Sequence, residues 1–374
     1  MKLNNIELTF ENFANEMAKL KNEKHFDYLV TIIGEDFGEE GLGCIYILEN
    51  TQNNERCSVR TIAKKVDGSD VIPTVINLWK AADLLEREVF DFVGIKFLGH
   101  PDMRRLFLRT DFVGHPLRKD FDMSPEANKF PLTDEPEDDF TVEYSLDKDG
   151  HLVETKHRLF EEDEYVVNIG PNHPSTHGVL RLQTVIDGET VKRIYPHLGY
   201  IHRGIEKMWE GMTYPQTLAL TDRLNYLSAM MHRHALVGVI EEAMGIELSD
   251  RIHYIRTIMD ELQRIDSHLL FLGCTAQDLG ALTAFLYCMR DREHVLNVME
   301  ETTGGRLIMN YYRIGGLQAD IDPNFVDNTK KLCKYLRPKI QEYLDVFGDN
   351  VITHKRLEGV GPMDKENCIN YAVT

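Results

Sequence analysis

This 374-residue chain is poor in several things, and each shortage removes a class of function. Basic charge is short: 42 Lys and Arg face 61 Asp and Glu, a formal net charge of -19. A nucleic-acid binder needs a Lys/Arg surface for phosphates, so that class is excluded. Cysteine is sparse and scattered, at Cys44, Cys57, Cys274, Cys288, Cys333 and Cys368. No two are spaced CxxC, which removes ribbon-type zinc sites and any local iron–sulfur motif; reduced, mostly buried thiols are expected. No apolar run reaches the roughly 18 residues of a membrane span, though the chain could lie beside a membrane. The start, MKLNNIELTFENFANEMAKLKNEK, has no apolar signal core and reads as an exposed amphipathic helix. GxGxxG, P-loop, GxSxG and HExxH motifs are all missing, so nicotinamide, nucleotide, serine-hydrolase and zincin readings lose their usual support.

Hydrophobic residues make up 43% of the chain, enough for real cores, and the length suits about two domains. Residues 26–36, 43–50 and 55–66 are β-branched or aromatic runs bounded by turn formers, and read as strands. The spacing of Val75, Leu78, Trp79, Ala82, Leu85 and Val89 predicts a helix over 74–95, ending near Gly94. Residues 1–121 thus form a small α+β domain. Residues 122–165 are acidic and aperiodic, and read as a solvated linker with a hairpin turn at Lys148-Asp149-Gly150. From 166 two strand-like runs flank an Asp187-Gly188 turn, and the chain then turns helical over 217–244, 249–273, 283–303 and 324–347. In the second of these Ser249 is the expected N-cap and Gly273 the C-cap; in the last, Pro338 is the expected kink. The fold class is α+β, with a mainly helical domain at 166–374 entered through a small sheet.

Chemistry-bearing residues cluster in four places. In NIGPNHPSTHG (168–178) His173 and His177 stand four apart, the zinc spacing of a helix. Pro174 argues against a helix, because the residue before proline avoids the α region. A hydrogen-bonded turn, or loop histidines moving protons near neutral pH, are the readings left. PHLGYIHRGIEK (196–207) is a Gly-punctuated polar stretch, either a solvated loop or a backbone that approaches a ligand or a neighbouring chain. In TDRLNYLS (221–228) a helix would put Arg223 and Tyr226 on one face. In QDLGALTAFLY (277–287) Asp278 stands before an apolar helix, as a cap or as a buried carboxylate with a cationic partner.

Together these pieces resemble one family. EREVFDFVGIKFLGHPDMRRLFLRTDFVGHPLRKDF (86–121) resembles the C-type subunit of bacterial respiratory complex I, the NADH-quinone oxidoreductase. GPNHPSTHGVLRL, PHLGYIHRGIEK, TYPQTLALTDRLNY, QDLGALTAF and GGRLIMNYYRIGG follow in the order found in the D-type subunit, so the chain looks like a C/D fusion. The resemblance implies a fold similar to the nickel–iron hydrogenase large subunit, and a place in the peripheral arm at the cytoplasmic face of the bacterial membrane. It also implies a quinone cavity beside an iron–sulfur cluster held by a neighbouring subunit, with the membrane arm as a further partner. The family's quinone-ligating His matches His177, its quinone Tyr matches Tyr226, the carboxylate partnering that His matches Asp278, and two arginines near the cluster match Arg203 and Arg223. Tyr226 and His177 would then donate protons to the quinone. Asp278, left unpaired when His177 loses its proton, would help couple reduction to proton pumping.

Departures from the family pattern carry their own expectations. Ile308 replaces a His near the cluster, implying a lower and less pH-sensitive potential suited to menaquinone. Ala284 replaces a Pro, Asn225 an Asp and Leu84 a Trp, and none of these removes a proton donor. The D-type subunit normally continues past NCINYAVT, so the chain looks truncated and is expected to be inactive alone. One rival is a membrane-bound nickel–iron hydrogenase large subunit, which needs paired cysteines where TDRLNYLS has none. A non-catalytic scaffold is the other, against which His177, Tyr226 and Asp278 together speak. Members of the resembled family accept electrons from NADH, ferredoxin or other carriers through further subunits.

Overall fold

The computed structural model describes residues 4–124 and 139–373, and divides into two compact units. Unit 1 comprises residues 1–207 and 363–374; unit 2 comprises residues 208–362.

Unit 1 opens with a strand, β1 (Asn4–Leu8), which pairs parallel to β4 (Glu55–Ile62). The expected N-terminal helix is confined to α1 (Phe10–Asn22). It starts where Thr9 N donates to Asn12 Oδ1 at 2.9 Å, and it buries Phe13, Met17 and Leu20. Those positions recur at helical spacing, and each buried side chain contributes about 2 kcal/mol. With β2 (Tyr28–Asp36) and β3 (Leu42–Asn50) the first sheet runs β1-β4-β3-β2.

A second sheet joins β5 (Lys64–Val66), β6 (Ser69–Pro73), β7 (Lys96–Leu98), β8 (Phe140–Leu146) and β9 (Leu152–Arg158), in that order. Its last two strands come from the stretch expected to be a solvated linker. Apolar Phe140, Val142 and Tyr144 alternate there beneath the acidic composition, and Tyr144 is buried. The expected turn at 148–150 is present, and Asp147 Oδ1 accepts from Asp149 N and His151 N at 2.9 and 2.8 Å. Residues 125–138 of the expected linker lie outside the described residues.

The helix expected from residue 74 begins only at α2 (Ala82–Val93). The buried Glu86 carboxyl reaches back, accepting from Val75 N at 2.8 Å and Thr74 Oγ1 at 2.6 Å, and fixes the preceding residues as turns. Val75 and Trp79 are buried nonetheless, which is why their spacing resembles a helix. The helix ends as expected, with Gly94 in the left-handed region. Within its last turn, Asp91 Oδ2 accepts from the backbone N–H of Leu106, Phe107 and Leu108 at 3.0, 2.7 and 2.9 Å.

A third, antiparallel sheet runs β10 (Tyr165–Ile169), β11 (Arg181–Asp187) and β12 (Thr190–His197), with the expected turn at Asp187-Gly188. Helix α3 (Ile205–Glu210) spans the boundary between the units.

Unit 2 is mainly helical. The helix expected over 217–244 is broken into α4 (Tyr214–Thr221) and α5 (Ala229–Met244) by the buried Asp222 and a short 3-10 turn at Tyr226–Ser228. After Ser249, α6 (Asp250–Asp278) runs past the expected stop at Gly273. That glycine is a packing position: a Cβ there would lie 3.1 Å from Met289 Cε and 3.3 Å from Cys288 Cβ of α7 (Leu282–Thr303). A short ladder of β13 (Tyr312–Arg313) and β14 (Gly316–Leu317) follows. Then come α8 (Phe325–Tyr343), with Pro338 inside it, a π turn at Leu344–Gly348, and α9 (Val351–Leu357). The last helix, α10 (Lys365–Asn370), belongs to unit 1, where Asn370 O accepts from Ala81 N at 3.0 Å.

Buried ion pairs run through unit 2. Arg233 pairs with Asp222 and also donates to Leu218 O and Asn310 Oδ1, both at 2.7 Å. Arg256 holds Glu241 bidentately at 2.8 Å through each Nη, and donates further to Arg313 O and Gly316 O. Guanidinium forks suit this task because one planar group satisfies several acceptors at once.

Candidate functional site

In unit 1 the histidine loop is a tightly built turn. Pro174–Thr176 forms one 3-10 turn, and His173 begins it with Nδ1 accepting from Ser175 N at 3.2 Å. Thr176 is buried, and its hydroxyl contacts Pro171 O at 3.1 Å and His173 O at 3.0 Å. Gly170, with φ of 83°, lies under this clasp: a Cβ there would collide with Leu180 O and sit 2.5 Å from Thr176 Oγ1, so only glycine fits. His177 closes the turn in the left-handed region, with φ of 53°. Its imidazole is exposed, and no hydrogen bond to it is seen among the described residues. The geometry separates the two rings: His173 shapes the loop, and His177 is presented outward. Among the described residues no group of His, Cys, Asp and Glu is arranged to hold a metal.

The stretch 196–207 lies in the same unit. Gly199, with φ of 58°, presses its backbone on the 105–110 segment, where a Cβ would collide with Phe107 O. His202 stacks on Phe92 with ring centroids 4.8 Å apart. These contacts make the stretch a docked segment rather than a free surface loop, with Arg203 exposed next to the stacked ring. A cavity of about 260 Å³ lies between the two segments, lined by Arg105, Leu108, Arg181, His197 and Tyr200 among others.

In unit 2, Arg223 and Tyr226 do not share a helix face. α4 ends at Thr221, Arg223 follows in a turn and donates to Ala219 O, and Tyr226 opens the 3-10 turn. The break has local causes. Asp222 turns inward to Arg233, and its Oδ2 accepts from Asn310 N at 2.9 Å; Asn225 Oδ1 accepts from Leu227 N at 3.2 Å. Tyr226 stands 55% exposed, with no hydrogen bond to its hydroxyl among the described residues. The ring is offered outward on a turn whose backbone is fixed from below.

Asp278 is neither an N-cap nor a buried carboxylate. It is the last residue of α6, and it is exposed. Gly280, with φ of 85°, stops the helix, and the apolar run read as the following helix starts only at Leu282. A carboxylate at a helix C-terminus faces the negative end of the macrodipole, and this favours a cationic partner. Its charge helps push up the Cys274 thiol, after the larger effect of burial. His177 and Arg203 thus fall in unit 1, and Arg223, Tyr226 and Asp278 in unit 2.

Sequence reasoning missed the groups that brace the tyrosine turn: Asp222, Arg233, Gln263, Asp266 and Arg292. A signal was available. Arg256, Met259, Gln263 and Asp266 repeat at steps of three and four, so polar side chains interrupt the buried stripe of α6.

Residues 6–127 match the family model for the 30 Kd subunit of respiratory-chain NADH dehydrogenase, and residues 278–374 match that for its 49 Kd subunit. The C/D subunit of NADH-quinone oxidoreductase from Phocaeicola vulgatus is 54% identical over 369 residues, covering 99% of this chain and 70% of that protein. The chain belongs to the family of fused C/D subunits of NADH-quinone oxidoreductase. The C/D subunit of Bacteroides fragilis is likewise 54% identical, over 96% of this chain and 69% of its own length. A more distant C/D member, from Aquifex aeolicus, is 38% identical over 97% of this chain and 64% of its own length. The order of the two family matches is that of a C/D fusion, as the sequence motifs imply. The hydrogenase reading is not favoured by these relatives. Among the described residues no helix is long and apolar enough to cross a membrane.

Proposed function

We propose that this chain, as a subunit of an NADH-quinone oxidoreductase, helps form the quinone-reducing site, with Tyr226 and His177 as hydrogen-bond and proton donors to the quinone. The observation that carries the reading is their presentation: both rings are exposed on braced turns rather than packed in a core. Reducing a quinone to a quinol takes two electrons and two protons. An iron–sulfur cluster held by a neighbouring subunit would supply the electrons. A phenol and an imidazolium can each donate to a quinone oxygen and release a proton as that oxygen becomes basic. Asp278 would hold His177 protonated, a role that its place at a helix C-terminus favours. Arg203 and Arg223 would lie near the cluster.

The remaining expectations belong to the same reading. The catalytic unit is the assembled complex, at the cytoplasmic face of the bacterial membrane, with the cluster-bearing subunit and the membrane arm as partners. Its helical part would share its fold with nickel–iron hydrogenase large subunits. Residues 1–121 and 166–374 would descend from separate C and D subunits, joined at 122–165, a division supported by the family matches on either side. Ile308, in place of a titrating His, would leave the cluster potential lower and nearly independent of pH, which suits menaquinone. Redox titration at several pH values tests this, and a steep slope would count against it. Asp278→Asn should uncouple pumping from reduction, and fully coupled pumping in that variant would remove its assigned role.

The decisive test is Tyr226→Phe and His177→Ala in the assembled complex. Each should lower NADH:quinone activity at least about a hundredfold while sparing NADH oxidation by ferricyanide. Normal quinone reduction in both variants would favour a scaffold role instead.

A further inference from the structure

The turn that carries Tyr226 is gripped from behind by groups that the reaction above does not use. Gln263, wholly buried on α6, donates from Nε2 to Leu227 O at 3.1 Å and to Asp266 Oδ2 at 3.2 Å. Leu227 is the residue next to Tyr226, so this amide ties the tyrosine turn directly to α6. Asp266, equally buried, faces Arg292 of α7. Arg292 Nη2 donates to Oδ2 at 3.2 Å, and Nε approaches Oδ1 to 2.9 Å.

The cluster is incompletely satisfied. Gln263 Oε1, Asp266 Oδ1 and Arg292 Nε are all buried without a hydrogen-bond partner. The close approach of Nε to Oδ1 is an ion contact whose alignment falls short of a hydrogen bond. Buried polar atoms left in this way are costly, and two of the three are acceptors lacking a donor. One added proton on Asp266 turns one of those acceptors into a donor.

We propose that Asp266 binds and releases a proton in the working protein and, through Gln263, sets the position of the Tyr226 turn, so that its protonation state tunes quinone reduction. The inference rests on Tyr226 being the quinone donor. In the ionised state the carboxylate is held by Arg292 and accepts from Gln263, whose amide also grips Leu227 O. When a solvent proton adds to the carboxylate, Asp266 becomes a donor, its attraction to Arg292 falls, and the Gln263 amide is freed to re-pair. Gln263 and Asp266 are positioning residues, acting only through the Leu227 carbonyl.

The electrostatic setting agrees. Burial pushes the Asp266 carboxyl up to about 6, outweighing Arg292, which pulls it down. The other charges that face it are Glu293 of α7, which raises it, and Arg306 beyond α7, which lowers it. From the tyrosine turn the approach is through the Leu227 carbonyl, by way of Gln263.

The experiment uses the assembled complex and follows NADH oxidation by a short-chain naphthoquinone between about pH 5 and pH 8, with ferricyanide as the acceptor that bypasses the quinone site. Wild type should show an inflection near pH 6 in kcat/KM that Asp266→Asn abolishes. Arg292→Lys keeps a cation with fewer hydrogen bonds and should move the inflection upward. Gln263→Leu should raise KM for the quinone about tenfold, the loss of one hydrogen bond, with ferricyanide reduction unchanged. An unchanged inflection in Asp266→Asn, or an unchanged KM in Gln263→Leu, overturns the proposal. Tyr226→Phe separates the two levels. If that variant is inactive while the Asp266 and Gln263 variants behave as wild type, only this inference fails. Full activity in Tyr226→Phe overturns the reading of Tyr226 on which the inference rests.

Discussion

Glu86 and Asp91 of unit 1 lie on one helix, are both fully buried, and each fixes neighbouring loop backbone: Glu86 accepts from Val75 N and the Thr74 hydroxyl, and Asp91 from three backbone N–H groups and from Arg105. Asp222, Glu241 and Asp266 of unit 2 are also buried, but each is held chiefly by an arginine, with at most one backbone amide seen on it among the described residues. The difference follows from the secondary structure around them. Loops that connect strands leave amide donors unsatisfied, and an anion can gather several at once. Helices satisfy their own interior amides, so an anion buried between them must find a cation. A buried carboxyl is therefore a loop-fixing device in one unit and a helix-pairing device in the other.

The comparison can be broken most forcefully at Asp91. Asp91→Ala orphans three amides and takes one of two acceptors from Arg105 Nη1, which donates to Asp91 Oδ1 at 2.8 Å and to the Asp91 carbonyl at 3.0 Å. At about 1–3 kcal/mol for each orphaned amide, unit 1 should lose more than about 3 kcal/mol. Trp79 lies in unit 1 and Trp209 in unit 2, so fluorescence with each removed in turn reports one unit. A loss below about 1 kcal/mol would show that the anion is not what fixes the loop.

Arg233→Leu should destabilise unit 2 by roughly 3–5 kcal/mol, because it strands a buried carboxylate. Replacing Asp222 by Leu as well should recover much of that loss. A double variant as unstable as the single one would mean that the backbone contacts matter more than the pairing.

Glu86 sharpens the contrast through pH. It has no cationic hydrogen-bond partner among the described residues, and burial pushes its carboxyl up from 4.5 to about 8. The folded chain keeps a proton that the unfolded chain releases, so this contribution to stability falls as pH rises from 4.5 toward 8. Glu86→Gln mimics the protonated form and should stabilise unit 1 by roughly 2–4 kcal/mol at pH 7, with little effect near pH 4. Equal stability of variant and wild type at both pH values would sink the assignment. The smallest expected effect is Thr176→Val, which opens the clasp on the histidine loop at a cost of about 1 kcal/mol. Urea midpoints for unit 1 would register it.

Much of this architecture is legible in the sequence, and the exceptions have physical causes. The strands at 28–36 and 42–50 are near-continuous apolar runs that read directly. The helix expected from residue 74 starts late because Glu86, inside the real helix, captures the preceding backbone, a contact without periodicity. The hairpin at 140–158 is hidden because acidic composition outweighs a two-residue alternation. At the site, Pro174 correctly excludes a helical histidine pair. Asp278 ends a helix instead of preceding one, although Gly280 two residues later is an ordinary stop signal. The brace beneath Tyr226 shows in the sequence only as polar breaks in the α6 stripe, because its members are far apart in sequence and meet only once α6 and α7 pack.

Asp91 has one more consequence. A single carboxylate oxygen holds the amides of Leu106, Phe107 and Leu108, so withdrawal of that oxygen frees all three at once. In deuterium exchange these three amides should leave protection together, at one rate, and that rate times the undocking of the loop from α2.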